Sequence, residues 1–158
     1  MFGMRRVNMR LSHQINDYFC GPAVIVTVLS SYGIRTTQKK AARLARTNKK
    51  TGTSTRGLLS ALRSFGVRVR GGNGQTLGGI RRAIRANMIS IVCYTEPHEN
   101  IGHYAIVLGF RGGNILLLSP DERGQTPVAM PQKEFQERWK DPLFTHSRRW
   151  AAFVDAPN

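Results

Sequence analysis

Residues 14–23 read QINDYFCGPA, and residues 22–33 continue as PAVIVTVLSSYG. The second run is apolar enough for a buried helix, with Pro22 suited to the first turn and Gly33 to the C-terminal stop. Cys20 then stands at the helix entrance, where unpaired N–H groups and a partial positive charge stabilise a thiolate. Two readings are open for it: a thiol set up for attack, or a small apolar residue at a packed helix end.

Further helices follow. Residues 36–48, TTQKKAARLARTN, begin with capping threonines and carry Lys39, Arg43 and Arg46 at helical spacing opposite Ala41, Leu44 and Ala45. In RGLLSALRSFG, Leu58, Leu59, Leu62 and Phe65 share a face and Gly66 ends the run. VRVR alternates like a short strand, and LGGIRRAIRAN suggests a weaker helix marked by its glycines. After it come ISIVCY, HYAIVLGF and NILLLS, short apolar runs parted by turn residues, with RGGN reading as a hairpin loop. PVAM and WAAFV are further strands, and PQKEFQERWK has helical spacing of Phe135 and Trp139. Helices first and sheet afterwards make the class α+β. With no repeat and no long linker, the 158 residues are expected to form one domain, its core about 14–155.

Charge is the unusual bulk property: 24 Lys and Arg against 9 Asp and Glu leave a formal +15. Between Tyr18 and Thr95 there is no acidic residue at all, so the first half is a basic field that favours nucleic acid, an anionic surface or an acidic protein. No stretch reaches the ~20 apolar residues of a membrane span. The N-terminus MFGMRRVNMRLSHQ lacks the apolar run of an export signal, so a cytoplasmic location is expected.

A nucleophilic thiol needs a base, and the candidates are His13, His98, His103 and His146. His103 is best placed, because it opens HYAIVLGF directly after Gly102 and so projects from a rigid strand beside a loop. Cys93, inside ISIVCY, reads as structural. Four scattered histidines and two distant cysteines offer no metal-ligand spacing, and no cofactor is expected.

Gln14 lies six residues before Cys20, and with GHYAIVLGF, ILLLSPDERG and PQKEFQERW the chain resembles the papain-like cysteine peptidases that cleave double-glycine leaders from bacteriocins and quorum peptides. The resemblance runs from about Gln14 to Trp139. It implies a papain-like fold, with N-terminal helices packed on a C-terminal antiparallel sheet. It also implies roles: Cys20 as nucleophile, His103 as base, and Gln14 with the backbone N–H of Cys20 as oxyanion donors. The implied partners are a peptide with a double-glycine leader and a separately encoded ABC transporter.

In that family the strand after the histidine ends in Asp-Pro, whereas here the pair is Ser119-Pro120. A serine hydroxyl accepts an N–H from imidazole but brings no charge. If Arg111, Gly112 and Gly113 form a three-residue loop, the register brings His103 opposite Asp121 and leaves Ser119 on the diagonal, so either residue is a candidate to orient the imidazole. A two-residue loop would put Asp121 on the other face. Three functions follow for test: a cysteine peptidase, a peptidase-like binding module using its basic half, or another acyl transfer on the same scaffold.

Overall fold

Side-chain caps decide where most of the helices begin. The computed structural model describes residues 9–121 and 127–157, which form helices α1 (Cys20–Ser30), α2 (Gln38–Ala45) and α3 (Thr55–Ser64), strand β1 (Arg68–Gly72) and helix α4 (Leu77–Arg85). The hydroxyls of Thr37, Ser54 and Thr76 accept the N–H groups of Lys40, Gly57 and Gly79 at the starts of α2, α3 and α4. Each such cap stabilises its helix by about 1 kcal/mol. At α1 the cap position is Phe19, which supplies no side-chain bond. The first N–H groups of that helix are therefore left for other partners.

The sheet continues with β2 (Ile89–Thr95), β3 (Gly102–Arg111), β4 (Asn114–Leu118), β5 (Val128–Pro131) and β6 (Ala151–Asp155), with α5 (Gln132–Arg138) before the last strand. All six strands pair antiparallel in the order β1-β6-β2-β3-β4-β5. Helices α1 to α3 cover one face, where Val24, Ile25, Leu29, Leu58 and Leu62 pack on Ile89, Ile91, Tyr104 and Ile106. Helices α4 and α5 cover the other, through Ile80, Ile84, Phe135 and Trp139 against Val92, Tyr94 and Val107. With both faces covered, every residue of β2 is buried, which explains its unbroken apolar sequence. The sheet is thus not purely a feature of the second half: β1 precedes α4 and pairs with β6.

Two sequence expectations change in detail. The basic stripe of α2 stops earlier, because the helix ends at Ala45 and Arg46 adopts the left-handed conformation at φ 55°. The β3–β4 hairpin closes through two residues, not three: Arg111 pairs with Asn114, and Gly112 and Gly113 both have positive φ, as the tight mirror-image turn requires. A bulge between Val107 and Gly109 then absorbs one residue of β3. Beyond it Val107 pairs with Leu117 and Ile106 with Leu118, the register the longer loop would have given. Carried outward, that register sets His103 opposite Asp121 and Ser119 diagonal to His103.

Candidate active site

Three segments meet at the open end of β3. The first is the chain leading into α1, which is held by Gln38 of α2: the Gln38 amide donates to Ser12 Oγ and to the His13 carbonyl and accepts the Ile15 N–H, at 2.6–3.0 Å. The second is the turn after β4, where the Pro120 carbonyl accepts the Gln14 N–H at 3.0 Å. The third is the loop between α2 and α3, which ends in Thr53. Tyr104 donates its hydroxyl hydrogen to the Thr53 carbonyl at 2.8 Å, tying that loop to β3.

Cys20 is the first residue of α1 and is half-buried. Burial pushes its thiol up from the ordinary value, and backbone N–H groups from Tyr104, Gly21 and Cys20 itself pull it back, with the Asp141 charge adding a smaller upward push. The helix-end groups thus act in the expected direction, and desolvation outweighs them. Cys20 and Tyr104, the residue next to His103, line the same cavity. Gly21 is obligatory here: a Cβ at that position would run into the Thr53 side chain, 2.6 Å from its own Cβ.

His103 is buried, 4% exposed, with its Nε2 2.8 Å from Ser119 Oγ and its ring edge-on to Tyr94. The Asp121 N–H donates to the same Ser119 oxygen at 3.3 Å. A hydroxyl oxygen has two lone pairs, so it can accept both N–H groups, and the tautomer protonated at Nε2 then leaves Nδ1 as a base. Ser119 and Asp121 are themselves buried. Gln14, His103 and Asp121 line one cavity of about 330 Å³. Cys20, Thr53 and Tyr104 line a second, of about 310 Å³, and Asp17 and Ile101 belong to the walls of both.

The Gln14 side-chain amide donates to the Asn16 carbonyl at 2.8 Å, while its Oε1 is buried without a partner. An NH₂ group carries two hydrogens, so a second donor remains on Nε2. Cys93 is buried on β2, its sulfur 3.8 Å from Asp141 Oδ2, and its thiol is raised well above the ordinary value, chiefly by desolvation. His13, His98 and His146 are exposed. Glu122 and Arg123, which follow Asp121, lie outside the described residues, as does the N-terminal stretch 1–8.

Gln38, Thr53 and Asp141 were not legible as site residues, because their places depend on contacts distant in sequence. Gly102, by contrast, carried a signal: a Cβ there would collide with the Asp141 carboxylate.

Residues 8–149 match the model of the Peptidase C39 family. The chain belongs to the peptidase C39 family. An uncharacterized protein from Methanothermobacter marburgensis is 36% identical over 110 residues, 68% of each chain. A second, from Methanothermobacter thermautotrophicus, is 33% identical over 107 residues, again 68% of each. Among solved structures, the peptidase domain of Streptococcus ComA, a bifunctional ABC transporter in a quorum-sensing pathway, superposes with a TM-score of 0.74 at 25% identity, covering 96% of this chain and 100% of that one. A double-glycine-motif protease of an AMS/PCAT transporter, solved with its leader peptide, shares the fold at a TM-score of 0.69 and 17% identity, covering 99% and 95%. The C39 fold is therefore a helical layer on an antiparallel sheet of papain-like kind, as the sequence resemblance implied.

Proposed function

We propose that this C39 family member is a cysteine peptidase that cuts a peptide at small residues, after a double glycine, with Cys20 as nucleophile and His103 as base. The observation that carries the reading is the pairing of His103 Nε2 with Ser119 Oγ at 2.8 Å, with Cys20 sharing a cavity wall with Tyr104, the next residue along β3. With Nε2 donating to Ser119, Nδ1 takes the thiol proton. The thiolate attacks the scissile carbonyl carbon, and the carbonyl electron pair moves onto oxygen. The Cys20 N–H and the remaining Gln14 amide hydrogen donate to that oxygen, a kind of contact worth about 10²–10³ in rate. Collapse expels the amine, which takes the proton back from Nδ1, and leaves a thioester on Cys20. Water, deprotonated by the same nitrogen, then releases the acid.

The orienting role falls to Ser119, with the Asp121 carboxylate contributing charge from the wall of the His103 cavity. The relatives solved as transporter domains support a substrate delivered to, or shared with, an ABC transporter. No described helix is long and apolar enough to cross a membrane. In this reading the peptide is cut in the cytoplasm and handed to a separately encoded transporter.

The test is incubation with synthetic peptides carrying Gly-Gly, read by mass spectrometry. Wild type is expected to release the leader, Cys20→Ala to release none, and Gln14→Ala to be slower by about 10²-fold or more. Absence of cleavage by wild type, together with equal alkylation of Cys20 and Cys93, would overturn the peptidase and leave the binding module.

A further inference from the structure

The basic half of the chain has a definite position relative to the candidate nucleophile. Lys39 and Arg43 are exposed on α2, Arg46 caps its C-terminal end, and the chain then passes through Lys49 and Lys50 before reaching Thr53 against Gly21. Lys49 and Lys50 belong to the wall of the Cys20 cavity. Their loop is held in shape: Asn48 and Gly52 pair through both backbone bonds, and the Asn48 side chain accepts the N–H groups of Lys50 and Thr51 at 3.0 and 2.9 Å. None of these five cations forms an ion pair among the described residues, where Arg68–Asp155 and Arg138–Glu134 do.

We propose that this rail of five cations docks an acidic segment of the peptide that is cut, so that the substrates of this chain carry clustered Asp or Glu near the scissile bond. The inference rests on the peptidase reading of the cleft and adds the substrate's charge to it. Carboxylates are the complement of exposed, unpaired Lys and Arg, and such a pairing raises encounter rates and fixes orientation. Lys49 and Lys50 share a cavity wall with Cys20, so a peptide held by them lies in the cavity of the thiol. A peptide is the occupant that the peptidase reading of the cleft supplies, and with Asp17 and Asp141 also in the cavity wall its acidic residues are expected beside Lys49 and Lys50 and not against those carboxylates.

Binding separates this inference from the cleavage reading. A fluorescein-labelled peptide with four glutamates flanking Gly-Gly, and its counterpart with four glutamines, are titrated by anisotropy against the Cys20→Ala protein, which cannot turn them over. The acidic peptide is expected to bind roughly tenfold tighter at low salt, with the difference closing at about 0.5 M salt. Lys49→Glu with Lys50→Glu should abolish the preference. Arg82→Glu with Arg85→Glu, the same charge change on α4 across the sheet, should leave it intact. Equal affinity for both peptides, or equal losses from the two double variants, would overturn the proposal. So would tighter binding of a mixed-sequence DNA duplex through Lys49 and Lys50. If wild type cleaves neither peptide but the charge preference holds, the docking rail stands and the peptidase reading falls.

Discussion

Ser119 bonds the imidazole with a neutral oxygen at a position where the resembling family carries a carboxylate, and the difference is measurable. Hydrogen bonds to a charged partner are roughly twice as strong as neutral ones, a gap of about 1 kcal/mol. Ser119→Asp is therefore expected to raise kcat/KM about five- to tenfold, because a carboxylate stabilises the imidazolium that accompanies the thiolate. A fall would show that the pocket is built around the neutral hydroxyl. Asp121→Asn tests the second carboxyl and should lower kcat more than it changes KM. Thiol reactivity gives an independent measure: Cys20 should react with iodoacetamide at least about tenfold faster than Cys93, since only the former is partly exposed. The Asp141 charge raises both thiols, so Asp141→Asn should speed both reactions and move their onset to lower pH. The positions of Cys20, His103 and Ser119 in the fold were legible from the sequence because each lies at or beside the end of an element. Gln38 and Asp141 were not, because a buried amide that staples one segment and a carboxylate that crowds Gly102 are known only once distant parts of the chain meet.

Helix α1 was readable from its apolar run, α2 from its capping threonines, α3 from its apolar face and the stop at Gly66, and α4 more weakly from a helical run that contains glycines, all local signals. The β3–β4 hairpin shows where local reading ends. Counting a three-residue loop reached the right partners for His103 by the wrong route, since the turn holds two residues and the bulge at Leu108 makes up the third. No sequence rule announces a bulge at that leucine. Its contribution can be tested by deletion: without Leu108 the extra residue is gone, Gly109–Leu116 and Val107–Leu117 become consecutive pairs, and the register toward His103 and Ser119 is kept. The expected result is cleavage within about tenfold of wild type and an unchanged far-UV circular dichroism spectrum, whereas loss of cleavage by about 10²-fold would show that the bend made by the bulge, and not the register alone, places His103. At the end of α2, Arg46 holds a left-handed conformation that glycine adopts without strain, so Arg46→Gly should stabilise the fold by about 0.5–1 kcal/mol in urea unfolding.

Four groups at the centre of the fold, Cys20, Cys93, Tyr94 and Tyr104, are each held above their ordinary titration range, chiefly by burial. Above pH ~8.5 to 10 the unfolded chain releases these protons while the folded chain keeps them. The unfolded state then binds fewer protons, so stability falls as pH rises, by up to about 1.4 kcal/mol per pH unit for each group. The urea midpoint should be flat from about pH 6.5 to 8 and drop steadily beyond about pH 9. A flat profile through pH 10 would mean that these groups are hydrated in the fold.

Strand β6 carries residues 151–155 yet lies inside the sheet, between β1 and β2. A nascent chain extended only to Trp150 has no partner for β1 and an unfilled slot beside β2, so the sheet cannot close while the ribosome still shields the last strand. Closure of the sheet thereby waits until residue 155 has been made, and a chain cut before Ala151 leaves β1 and β2 without the strand they share.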